Sequence, residues 1–277
     1  MPDADHGAPT ELPRPPAAPD RPWSWSLTAP TWSDLPLALH RGHRRLPVGA
    51  ELDLEVELDV EPDVEPDVEV RAPSPRRPRP IPVESLLEGA GFTPIGPVVA
   101  GGAGWRCRVV RRHTLADTIG PGMRLLVCGV NPSPYSADAG VGYARPGNRF
   151  WPAALAAGLV DVDRDPVAAL ARGMGMTDFA KRATRTAAEV TREEYRTGLA
   201  RLTAVVRWLR PGAVCFVGLS GWRAVVDRDA GSGPQPACVA DRPVYVMPST
   251  SGLNARTSLD ELARHLTAAD ALGSTPA

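Results

Sequence analysis

The sequence predicts an α/β fold, a three-layer sandwich in which a short, mostly parallel central sheet is flanked by helices. Three observations lead there. Three strand-sized apolar runs rich in branched residues, "RLLVCGV" (124–130), "AVCFVG" (213–218) and "PVYVMP" (243–248), read as strands buried on both faces. Around them lie "RFWPAALAAGL", "REEYRTGLARLTAVVRWL", "SGWRAVVDR" and "SLDELARHLTAADAL", each with apolar residues at the three-to-four spacing of a helix. Finally, strands and helices alternate along the chain, which gives parallel pairing with helices on both faces of the sheet.

In chain order, a segment of different character comes first. Stretches such as "PRPPAAPDRP" and "APSPRRPRPIP" bury too little apolar surface to offset chain entropy. A disordered Pro-rich and acidic tail is therefore expected over residues 1–80, with a folded domain over 81–277. Within the tail, ten acidic side chains occupy every odd position from Glu51 to Glu69, with no base among them. That period of two in isolation describes a strand with one acidic face, but the charge density and two internal prolines favour a solvated segment. Such a strip of carboxylates could also compete with DNA for a basic groove on its own domain.

From residue 83, "VESLLEGAGF" reads as a short helix stopped by glycine and "WRCRVVRR" as a strand. Residues 81–277 carry 22 Lys plus Arg against 17 Asp plus Glu, a surplus of five that permits a polyanionic partner without demanding one. Cys107, Cys128, Cys215 and Cys238 are too scattered for a CxxC site, and two of them sit inside apolar strand-like runs. His6, His40 and His43 fall in the expected tail, which leaves no zinc constellation. The sequence thus predicts buried thiols in a reducing cytoplasm, no metal and no cofactor. No stretch is long and apolar enough to cross a membrane, and the N-terminus lacks a signal-peptide core.

In parallel sheets ligands bind at the carboxyl ends of the strands, and Asn131 and Ser249 both follow such ends. The first of these loops, "GVNPSPYSADAGVGYARPGNRFW" (129–151), contains neither GxGxxG nor GxxxxGK[ST], so a nucleotide-phosphate cradle is disfavoured. "NP" alone would be a plain turn; a loop of this length rich in Gly, Pro, Asn and aromatics is costly unless functional.

"GVNP" followed by "GYARPGNRFW", with seventeen residues from Asn131 to Asn148, resembles the first motif of the mismatch-specific uracil-DNA glycosylases, bacterial relatives of thymine-DNA glycosylase in the uracil-DNA glycosylase superfamily. "GMTDFAKRATRTAAEVTREE" (175–194) and "MPSTSGLNAR" (247–256) agree in order and spacing, and the likeness spans about residues 115–272. It implies a uracil-DNA glycosylase-like fold and a monofunctional enzyme acting on double-stranded DNA with G·U or G·T mismatches. A monomer associated with the bacterial nucleoid would fit this role.

By that resemblance Tyr143 supplies the face on which a flipped pyrimidine stacks, and Val130 and Ser136 line the rest of the pocket. Asn131 cannot act as a general base at neutral pH, but its amide oxygen can hold a water beneath the anomeric carbon, with Thr177 helping to position it. Ser249, Ser251 and Arg256 would meet phosphates, Leu253 would fill the gap left by the flipped base, and Gly252 and Asn254 would face the widowed guanine. Plainer readings stand beside these: Tyr143 and Leu253 as core packing, Thr177 as a turn cap.

In the second loop Ser249 and Thr250 stand where the bacterial relatives read Asn-Pro, a change that resembles the serine-rich loop of the eukaryotic thymine-DNA branch. It bears on how tightly the loop is held and on the preference for an opposite guanine, while leaving the phosphate donors in place. Lys181, the only lysine, is not placed for Schiff-base chemistry, and strand cleavage is not expected. The competing functions are a uracil-DNA glycosylase of a neighbouring family and a catalytically weak protein that marks mismatches or abasic sites.

Overall fold

The computed structural model describes residues 23–29, 31–58, 81–101 and 104–274. It departs from expectation at once, because part of the N-terminal segment is built into a sheet. Strand β1 (Trp23–Ala29) leads into helix α1 (Leu35–His43) and strand β2 (Glu51–Leu58); helix α2 (Val83–Gly89) and strands β3 (Phe92–Pro94), β4 (Val99–Gly101) and β5 (Gly104–Arg111) follow. The order is β1-β2-β5-β3, with β4 also on β5; β1 and β2 are parallel and the remaining pairs antiparallel.

The alternation that composition argued against is what makes β2. Leu52, Leu54, Val56 and Leu58 point into a core with Leu35, Leu39, Leu87, Phe92 and Val109, while Glu51, Asp53, Glu55 and Glu57 face outward. Each buried aliphatic contributes about 1.5–3 kcal/mol. The acids are also matched across the pair, with Asp53 opposite Arg108 and Glu55 opposite Arg106. Averaging over 80 residues hid this strand, and the prolines that argued against it, Pro62 and Pro66, lie beyond its end. Residues 1–22 and 59–80 lie outside the described residues, so the expectation of disorder there stays an expectation.

The second sheet matches the predicted sandwich. Strands β6 (Leu125–Gly129), β7 (Met174–Asp178), β8 (Ala213–Val217), β9 (Gly233–Val239) and β10 (Arg242–Met247) are ordered β7-β6-β8-β10-β9, parallel except for β9 against β10. Alternate residues of the same strands serve opposite layers. Leu126, Cys128, Val214 and Phe216 pack with helices α6 (Arg192–Leu209) and α7 (Ser220–Val225); Leu125, Val127, Cys215 and Met247 pack with α4 (Phe150–Ala156) and α8 (Leu259–Ser274). Two shorter helices, α3 (Pro134–Ala139) and α5 (Pro166–Ala171), complete the order.

Strand β7 was not foreseen, since "MGMTD" has a single branched residue, Thr177; Gly175 is small there because Met123 lies against it, its Sδ 2.1 Å from where a Cβ would stand. Cys107, Cys128 and Cys215 are buried free thiols as expected, whereas Cys238 is exposed.

Candidate active site

Strands β6 and β7 end side by side, with Gly129 paired to Asp178, and their carboxyl ends open into a cleft of about 830 Å3. The backbone past β7 continues along that past β6: Phe179, Ala180 and Thr184 donate N–H bonds to the carbonyls of Gly129, Val130 and Pro132. Val130 and Asn131 are thereby fixed at the cleft wall by main-chain geometry.

The Asn131 amide has a determined orientation. Its Nδ2 donates to the Pro132 carbonyl at 2.9 Å and to Thr184 Oγ1 at 2.7 Å. A carbonyl only accepts, so the nitrogen must be the atom on that side. Thr184 in turn donates its hydroxyl proton to the Thr186 carbonyl at 2.7 Å, which leaves it as an acceptor for Asn131. The Asn131 Oδ1 is left without a protein partner among the described residues, at the wall of the cleft.

Tyr143 also lines the cleft, with Phe150 stacked behind it at 4.2 Å between ring centroids and 18° between planes. Its backbone is left-handed (φ 57°), an uncommon conformation for a non-glycine residue, and its buried hydroxyl has no hydrogen-bond partner. Ser136 is buried on α3, its N–H donating to Ser133 Oγ at 3.1 Å, which caps that helix.

Thr177 requires a correction. It borders the cleft, but its hydroxyl donates to Asp117 Oδ1 at 2.7 Å and accepts from Arg201 at 2.9 Å. The strand turns that side chain toward a buried ion cluster, in which Asp117 pairs with Arg201 at 2.7 Å and Lys181 at 2.8 Å. The threonine that holds Asn131 is Thr184. Lys181 is bound between Asp117 and the Leu115 carbonyl and does not line the cleft.

Asp178, the next residue on β7, points the other way. It lines the cleft, is 7% exposed, and burial pushes its carboxyl up to about 6, against the opposing charge of Lys181. Gly129 makes room for it: a Cβ there would lie 2.3 Å from Asp178 Oδ1 and 3.1 Å from the Tyr143 hydroxyl. Neither Asp178 nor Thr184 carried a signal in the sequence beyond membership of the quoted second segment.

The second loop faces the first. Ser249, Ser251 and Leu253 line the same cleft; Gly252, Asn254 and Arg256 do not. Leu253 is 92% exposed, so it is not core packing. Asn254 braces the loop through its Nδ2, which donates to the Ser249 carbonyl at 2.8 Å and to Thr257 Oγ1 at 3.2 Å.

Arg149 anchors the same loop: its guanidinium donates to the carbonyls of Asn254 and Thr257 and its backbone N–H donates to the Thr250 carbonyl at 2.9 Å. Gly252 packs so closely on this strut that a Cβ would sit 2.8 Å from the Gly147 carbonyl. Arg145 and Arg185 add exposed positive charge to the cleft lining. The arrangement offers an aromatic wall, one oriented amide oxygen, one titratable carboxyl and a basic rim.

Residues 116–272 match the family model of the "Uracil DNA glycosylase superfamily". Among solved structures, the chain is similar to the solution NMR structure of a protein from Methanosarcina acetivorans described as "a putative Uracil DNA glycosylase", at 19% identity and a TM-score of 0.41, covering 58% of this chain and 97% of that one.

Proposed function

The chain belongs to the uracil-DNA glycosylase superfamily, whose members are hydrolytic DNA glycosylases, and from that premise we propose that it removes uracil, with thymine and modified pyrimidines as further substrates, from mispairs with guanine. The observation that carries this reading is the Asn131 amide, locked by Pro132 and Thr184 with its oxygen free beside Tyr143.

A nucleotide turned out of the duplex would stack on Tyr143, whose ring is backed by Phe150 and so presents a rigid surface. Asn131 Oδ1 would then accept a hydrogen bond from a water below the sugar. As the N-glycosidic bond breaks, the base departs with the bonding electron pair, the water oxygen bonds to the anomeric carbon, and its proton passes to solvent. An amide adds little activation, so departure of the base relies on its own stability as an anion and on hydrogen-bond donors in a water-poor pocket. Leu253 would occupy the vacated stack, while Ser249, Ser251 and Arg256, joined by Arg145 and Arg185, would hold flanking phosphates. Mispairs cost less to open, which favours them without base-specific contacts. The products would be free base and an abasic site, with no strand cleavage, from a protein acting as a monomer without metal or cofactor.

Single-turnover assays on G·U, G·T and A·U duplexes and on single-stranded uracil test this. Release fastest from G·U is the expected result, and Asn131→Ala should slow it about a hundredfold or more while duplex binding holds. Tight mismatch binding with no base release from any of the four would instead identify a protein that marks lesions.

A further inference from the structure

The N-terminal segment that completes the first sheet also brings positive charge to the edge of the cleft. Arg41 lies in the last turn of α1, Arg44 caps that helix, and Arg45 sits in the turn that continues it, its N–H donating to the Gly42 carbonyl at 2.9 Å. Spacings of three and four residues put these side chains on one side of the helix end. All three are exposed, and none makes an ion pair or a side-chain hydrogen bond among the described residues.

The acids of the same segment do not neutralise them. Leu52, Leu54 and Val56 of β2 face the core that Leu35 and Leu39 of α1 share, so α1 covers the inner face of the sheet, and Glu51, Asp53, Glu55 and Glu57 point away from it. Asp138 lines a small hollow together with Arg44 and Gly140, but its carboxylate is engaged by His113 at 2.7 Å. Stability does not account for the cluster either. One base at a helix C-terminus suits the macrodipole, whereas like charges three and four residues apart repel one another.

Arg44 ties the cluster to the cleft. Gly140 ends α3 in the left-handed conformation (φ 65°) and lines the cleft, and the Arg44 side chain lies across it, with Nε 2.8 Å from where a Cβ would stand. Arg145 and Arg185, likewise exposed and without an ion pair among the described residues, line the same cleft. The positive rim therefore continues past Gly140 onto α1, which lies outside residues 116–272 that match the family model.

We infer that Arg41, Arg44 and Arg45 form a second phosphate-binding surface for duplex DNA, which extends the footprint of the cleft onto the N-terminal segment. The inference rests on the reading of the cleft as a DNA glycosylase site. These arginines meet the backbone of undamaged duplex flanking the lesion, where charges recur about every 1.7 Å along the axis. Such contacts add affinity and fix the register of the protein on DNA, and carry no information about which base is turned out.

The test measures the affinity of the full chain for labelled duplexes of about 30 base pairs, undamaged or with one central G·U pair, across a range of sodium chloride. Arg41→Gln, Arg44→Gln and Arg45→Gln combined should weaken binding to both duplexes about tenfold or more near 0.1 M salt, and should lower the slope of log K against log salt by about two to three. Each single change should lower that slope by about one. The three positions changed together to lysine should keep the wild-type slope, because the number of charges sets it. The glutamine variant should melt at or near the wild-type temperature, since it breaks no ion pair. Wild-type affinity and slope in the glutamine variants would overturn the inference and leave the cleft reading intact. So would a loss of affinity that the lysine variant shares in full, or one without a change in slope. If wild type neither binds these duplexes nor releases base from G·U, the cleft reading itself fails, and this inference with it.

Discussion

Asp178 and Asn131 meet the cleft from neighbouring strands and differ in what pH does to them. The Asp178 carboxyl titrates at about 6 in the folded protein, raised from 3.8 chiefly by burial, with the Asp117 charge adding to the rise and Lys181 and Arg201 opposing it. A folded pKa above the unfolded one means that its stabilising effect is complete below about 4 and is lost as pH rises through 6. Asp178→Asn should therefore raise stability at pH 7.5 by about 2 kcal/mol and leave it little changed at pH 4, measured by urea unfolding. In the cleft, an ionised carboxyl would also oppose departure of an anionic base. The same variant should speed base release several-fold above pH 6 and flatten its pH profile; an unchanged profile would place Asp178 outside the reaction. Of these side chains, Asn131 and Tyr143 are legible in the sequence because contiguous motifs display them. Thr184 and Asp178 are not, because what defines them is a contact with a residue some fifty positions away, or burial that only the tertiary fold creates.

Among the elements, the parallel strands and long helices are legible because they follow the two periodicities that buried strands and amphipathic helices impose. Strand β7 escapes because an edge strand with one glycine, two methionines and a single branched residue shows no run of branched side chains. The loop that follows β10 escapes in another way, since its anchor belongs to the first motif. Arg149 reaches two carbonyls of the second loop with the fork geometry that lysine lacks. Arg149→Lys should cost about 1–3 kcal/mol of stability by leaving carbonyl bonds unmade. It should also slow base release about tenfold on G·U duplex, and more on A·U, where opening the pair is harder. Leu253→Ala should show the same ordering of substrates with no loss of thermal stability, because that side chain is 92% exposed in the free protein.

At the scale of the whole molecule, the N-terminal segment changes what counts as the domain. Family similarity begins at residue 116, yet β5 is paired on one edge by β2, and Leu52, Leu54 and Val56 share its core with Val109 and Phe92. Deletion of residues 1–80 should therefore give an unfolded or aggregating product, seen by circular dichroism and size exclusion, since it uncovers an apolar face and a strand edge together. A soluble, cooperatively folding fragment would restore the view that this segment is a dispensable tail. Composition alone could not reveal the strand, because proline and acid averages say nothing about which residues alternate.

Arg149 joins the loop bearing Leu253 to the motif that carries Asn131 and Tyr143, and this has a bearing on how the protein could diversify. Substrate capture and hydrolysis are geared to one shaft. A drift in the second loop that altered which lesions are opened would shift the aromatic wall as well, so new substrate preferences should arise through paired substitutions across the two motifs, seldom through one alone.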